Sequence, residues 1–122
     1  MNISEELKKI ARYYGQEAQC NQLIEECAEV IQAVSKYRRS RDSFNSFTGA
    51  ESLWERKKAD VAVALYNLTE EIADVEIMLE QIKYLLQISE GDILALKIFK
   101  VNRTKRRMVE AENDRQRDYR DN

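Results

Sequence analysis

Two short acidic segments, "EECAEV" at 25–30 and "EEIADV" at 70–75, carry the residues best suited to chemistry in this chain. Each sets carboxylates three residues apart, which on a helix places them one turn from each other on a shared side. At about 100° per residue, Glu26 and Glu29 fall about 60° apart on one flank of an apolar stripe, beside Gln22 and Ala33. Glu25 points nearly the opposite way. In the second segment Glu71 falls inside the apolar arc and Asp74 at its edge, whereas Glu70, Glu76 and Glu80 read as solvated surface. A buried charge is costly unless something compensates it. Four carboxylates on two facing helices need a strong positive partner to stay ionised together.

The chain contains no His, so a Glu-x-x-His di-iron site is excluded. All-oxygen ligation selects a hard cation, Mg²⁺ or in its place Mn²⁺. Magnesium retains open positions for waters and phosphate oxygens, which directs attention to phosphate chemistry. A single ExxE more often marks a solvated helix face; the burial expected of Glu71 and the repetition of the pattern argue for more.

The elements that must position these groups are helices. Pro is absent and there are only 3 Gly, too little turn punctuation for a sheet, while 43% hydrophobic content excludes wholesale disorder. With 122 residues the chain forms one domain. Periodicity predicts a first helix capped by Asn2 or Ser4 and broken at Gly15. A second follows over 17–38, with Leu23, Ile24, Cys27, Val30, Ile31 and Val34 as its apolar face, then a loop over 40–52. The next helical region, 51–87, is long enough that a break at 66–69 is expected. Its buried stripe reads as Ile72, Val75, Leu79, Ile82 and Leu86. Gly91 reads as a helix stop and Asp92 as the next cap. A last helix spans 93–109, and the polar tail, 111–122, is expected to be frayed or disordered, leaving 1–110 as the folded domain. The fold class is all-α, a four- to five-helix bundle. Ile77 and Tyr84, off the main stripe, suggest a second packing face and a homodimer or homotetramer.

The net charge of −2 gives no global attraction to nucleic acid or to an anionic membrane, and no apolar run is long enough to span one. The stretch "KIFKVNRTKRR" at 97–107 is nevertheless strongly basic. Cys20 and Cys27, seven apart, read as reduced core residues of a cytoplasmic protein.

The ordered set of carboxylates resembles the signature of the all-α nucleoside triphosphate pyrophosphohydrolases, the MazG-like superfamily that includes dimeric dUTPases and dCTP pyrophosphatases. Its EExxE then ExxD motif is matched by Glu25, Glu26 and Glu29, then Glu71 and Asp74. "GQEAQCNQLIEECAEVIQAVSKY", "EEIADVEIMLEQI" and "KVNRTKRR" extend the similarity over roughly 13–37 and 68–107. The 41 residues between Glu29 and Glu71 (positions 30–70) exceed the family's usual gap.

The resemblance implies hydrolysis of a nucleoside triphosphate to the monophosphate and pyrophosphate. Glu26, Glu29, Glu71 and Asp74 would hold Mg²⁺, and Glu25 or Glu26 would orient or deprotonate the attacking water. Lys100, Asn102 and Arg106 would approach the phosphates, with Lys36, on the Glu29 side of its helix, as a further candidate. Asn21, Gln22 and Trp54 are candidates for contacts to the base. The competing reading is a non-catalytic helical module that uses the basic segment and tail to bind a partner.

Overall fold

The computed structural model describes all residues, Met1–Asn122, as four helices and no strand: α1 (Ile3–Tyr14), α2 (Gln16–Asn45), α3 (Glu51–Leu85) and α4 (Glu90–Asp121). No helix is long and apolar enough to cross a membrane. The chain divides into two compact units, Met1–Gln87 with α1 to α3 and Ile88–Asn122 with α4. The bundle is therefore made by three helices, and the fourth belongs to a separate unit.

Local chemistry accounts for the boundaries. The Asn2 side chain accepts a hydrogen bond from the Glu5 amide at 3.1 Å and caps α1, with Glu5 and Glu6 in its first turn. Gly15, at φ +86°, turns the chain between α1 and α2 in a conformation that glycine adopts without steric cost. The loop expected over 40–52 shrinks to 46–50, because α2 continues through Asn45 before Ser46 closes it. No break occurs at 66–69: α3 is one helix, and the Thr69 hydroxyl donates back to the Leu65 carbonyl at 2.8 Å. The cap of α4 is Ser89, which accepts from the amides of Gly91 and Asp92, so both residues read as stop and cap lie in the first turn. The stretch 111–121 is helical. It lacks Gly and Pro and carries Glu112–Arg115 and Asp114–Arg117 pairs at i,i+3.

Helices α2 and α3 form a long antiparallel hairpin. Two contacts set its register: buried Gln19 donates to buried Gln81 at 2.6 Å near one end, and Lys57 donates to the Ser43 hydroxyl at 2.7 Å near the other. In both pairs the residue numbers add to the same value, so the pairing runs without a slip. The less exposed positions of α2 follow alternating steps of three and four: Leu23, Glu26, Val30, Ala33 and Tyr37. Those of α3 do the same through Ala64, Leu68, Glu71, Val75, Met78 and Ile82. This is the seam of a coiled-coil-like pair, and a buried Gln pair within it is a register-setting device of the kind a single polar core position provides. Helix α1 closes one flank at the Gln19–Gln81 end, burying Leu7 and Ala11, while Arg12 donates to the Tyr84 hydroxyl at 2.7 Å.

The seam lies to one side of where the apolar stripes centre. Ile24 and Ile31 are each 68% exposed, Cys27 is exposed, and Ile72, Leu79 and Leu86 are only half-covered. Neither cysteine is in the core. Tyr84, expected on a second face, is taken up by α1 instead.

Candidate metal centre and adjoining groove

The hairpin register brings the two acidic segments level with each other. Ligand oxygens of Glu26, Glu71 and Asp74 lie within 4.8 Å of one another. Glu26 and Glu71 occupy seam positions that the repeat would otherwise give to an apolar residue, so each is partly covered. Gln22, one turn back on α2, donates to Glu26 Oε1 at 2.7 Å and holds that side chain in place. The second oxygen of each, Glu26 Oε2 and Glu71 Oε2, is buried with no hydrogen-bond partner. Buried polar atoms are normally satisfied, and each exception calls for an explanation.

Electrostatics give the same picture. The hydrogen bond from Gln22 favours the ionised form of Glu26. Burial, the charges of Glu29 and Asp74 and a hydrogen bond shared with Glu29 outweigh it and hold that carboxyl above its usual range. Glu29 is also raised, first by a hydrogen bond with Glu71 and then by the charge of Glu71, with Asp74 contributing. All four expected carboxylates thus interact, Glu29 from the exposed rim. Crowded anionic oxygens, two of them buried and unpaired, fit a hard divalent cation such as Mg²⁺ or Mn²⁺.

From Glu29 and Glu71 a groove of about 700 Å³ runs along the hairpin away from α1. That volume is within the range of small-molecule sites. Its acidic end is extended by Glu70, which sequence periodicity assigns to bulk solvent. Its far end carries Lys36 and Arg39 from α2, facing Asp60 and Asn67 of α3. The helical flank that starts at Glu29 and steps through Gln32, Lys36 and Arg39 is legible as spacing. Asp60 and Asn67 join it only once the pairing register is known.

The remaining candidates stand elsewhere. Gln22 serves Glu26, Asn21 is exposed, and Glu25 is exposed outside both cluster and groove. Trp54 packs on Phe44 with ring centroids 5.4 Å apart, under the Lys58 ammonium, and does not line the groove. Lys100, Asn102 and Arg106 are exposed on α4, in the second unit. Comparisons with protein-family models, with curated proteins and with solved structures return no match.

Proposed function

We propose that this protein is a Mg²⁺-dependent nucleoside triphosphate pyrophosphohydrolase, which converts a (deoxy)nucleoside triphosphate into the monophosphate and pyrophosphate. One observation carries the reading: carboxylates from two helices meet, with two buried, unpartnered oxygens, beside the acidic end of a groove whose other end carries Lys36 and Arg39 with Asp60. The similarity of the motif set to the MazG-like pyrophosphohydrolases supports the same reaction.

Glu26, Glu29, Glu71 and Asp74 are the residues that would hold the metal. A bound divalent ion would offset the charge of the phosphate oxygens and lower the pKa of the attacking water. Gln22 keeps Glu26 oriented by its hydrogen bond. Glu70, at the groove wall, is better placed than Glu25 to accept a proton from that water. Lys36 and Arg39 give the polyphosphate a cationic partner within the same hairpin, and Lys100, Asn102 and Arg106 remain the contacts that the family likeness would add. Asn67 and Asp60 offer the groove's polar groups for the sugar or base. The proposal includes a cytoplasmic, homo-oligomeric protein.

The test is a panel of ribo- and deoxyribonucleoside triphosphates with Mg²⁺ and with Mn²⁺, assayed for pyrophosphate. Release with at least one nucleotide, abolished by EDTA, is the expected result. Silence across the panel, together with a partner interaction that weakens steeply with salt, would favour the non-catalytic module instead.

A further inference from the structure

The tip of the α2–α3 hairpin, positions 36–60, carries seven Lys or Arg against four Asp or Glu, in a chain whose net charge is −2. Part of that excess converges on a hollow of about 190 Å³ next to the groove, lined by Arg39, Ser40 and Ser43 of α2 and by Lys57 and Asp60 of α3. Arg39, Ser40 and Asp60 line the groove as well, so the two cavities adjoin. Ser43 stands fourteen residues beyond Glu29 on α2, about 21 Å at 1.5 Å per residue. The hollow is therefore separate from the carboxylate cluster.

Its cations are held in place without being neutralised. Lys57 donates to the Ser43 hydroxyl at 2.7 Å, and its ammonium stands over the Phe47 ring, 5.4 Å from the centroid. Gly49 lets that ring lie where it does, since a Cβ there would come within 2.7 Å of Phe47 Cζ. An ammonium has three donors, which leaves hydrogen-bonding capacity for a ligand. Neither Lys57 nor Arg39 forms an ion pair, whereas Arg41, on the same stretch of α2, is matched by Asp42 at 3.0 Å. The hydroxyls are kept available in a similar way. Ser35, Ser46, Thr69 and Thr104 each donate back to the carbonyl four residues earlier, as helical hydroxyls commonly do. Ser40 and Ser43 make no such bond, and Ser43 uses only its acceptor side, on Lys57.

We infer that this hollow is an anion site and that its ligand is free phosphate. A guanidinium fork, an ammonium and two hydroxyls supply the donors that a tetrahedral oxyanion of charge close to −2 requires. Asp60, which only accepts hydrogen bonds when ionised, repels an anion unless that anion brings a proton to share. Free phosphate keeps a proton at pH 7 and sulfate has none. A phosphate monoester, with its second pKa at about 6, has mostly lost its own. The donors thus attract the class, and Asp60 selects the member that still carries a proton. The site needs neither metal nor nucleotide, so it stands or falls apart from the proposed reaction.

The test is isothermal titration of inorganic phosphate into the full metal-free chain, in EDTA at pH 7 and constant ionic strength, with sulfate and ribose 5-phosphate as parallel arms. The wild type is expected to bind phosphate saturably, and the other two at least about tenfold more weakly. Lys57→Met is expected to weaken phosphate binding by about tenfold or more, the scale of a charge-assisted hydrogen bond. Ser43→Ala keeps every charge and should weaken it by about threefold or more. Lys58→Met makes the same change in net charge outside the hollow, where the ammonium stands over Trp54, and should leave binding unchanged. Asp60→Asn should bring the affinity for sulfate up towards that for phosphate. Absence of saturable binding at about 10 mM phosphate overturns the inference. So do equal losses from Lys57→Met and Lys58→Met, or a wild type that holds sulfate or the monoester as tightly as phosphate, since charge alone would then be attracting the anion.

Discussion

The two faces of the α2–α3 hairpin are built from the same helices and differ in what covers them. On the apolar face, Leu65, Ile72 and Leu79 follow one another at seven-residue steps along α3 and are 50%, 44% and 43% exposed. On the groove face, two seam positions that such a repeat would make apolar are Glu26 and Glu71, each with an oxygen that has no partner. The first face keeps about half of its apolar surface exposed, and the second lacks positive charge. Each deficit identifies the kind of partner that would remove it: another apolar surface for one, a cation with its polyphosphate for the other. Proteins place such costs at functional sites, where local rules of stability give way to chemistry.

The sharpest way to break the comparison is to treat the groove face as though it were ordinary core. Glu71→Leu should abolish pyrophosphate release, a loss of at least about 100-fold, since even outer-shell partners of metal ligands are worth 10–100-fold. The same substitution should stabilise the metal-free protein by about 1–2 kcal/mol, the scale of other changes that exchange function for stability. Calorimetric melting and a rate assay on one preparation check both. A less stable variant would mean that Glu71 has a structural partner and is not a strained ligand.

Next in size, Gln81→Ala leaves buried Gln19 without its partner and should cost about 1–3 kcal/mol in urea unfolding. Loss of activity beyond the unfolded fraction would show that register, as well as stability, depends on the pair. At the cationic end of the groove, Arg39→Ala should raise KM by about tenfold, equivalent to about 1.4 kcal/mol, with kcat largely unchanged. An unchanged KM would remove that end from substrate binding.

The smallest effect is a pH dependence. Glu26 and Glu29 both hold protons more tightly in the folded chain than their reference value of 4.5. A raised pKa adds stability that is fully present below 4.5 and lost as pH rises through the folded value. Metal-free protein should therefore melt higher near pH 4.5 than at pH 7.5 as far as these two groups are concerned. Glu29→Gln should flatten the difference, and saturating Mg²⁺ should reverse it, because protons compete with the cation.

How much of this was legible beforehand follows from how local each feature is. The helical content, the Asn2 cap, the turn at Gly15 and the placement of each carboxylate pair on one side of its own helix depend on spacing within one segment. The C-terminal end of α2 extends past its expected limit because Ser43 and Asn45 carry turn propensity that tertiary pairing overrides, as the Lys57–Ser43 contact illustrates. The apolar faces were misassigned for another reason. Periodicity sums all apolar positions around a helix, which centres the six-residue apolar face of α2 near Cys27 and Val34, whereas the seam lies nearer Glu26 and Val30. Glu70, Asp60 and Asn67 acquire meaning only from the register between two helices, which no single-helix pattern contains.

The central claim is that carboxylates from α2 and α3 share one divalent cation. Isothermal titration of Mg²⁺ or Mn²⁺ into the metal-free protein tests it most directly, on the wild type beside Glu26→Gln and Asp74→Asn, which draw on different helices. Saturable binding in the wild type that is lost in both variants, with helicity intact, is the predicted result. Binding that survives either substitution unchanged, or no binding at millimolar metal with nucleotide present, would contradict it.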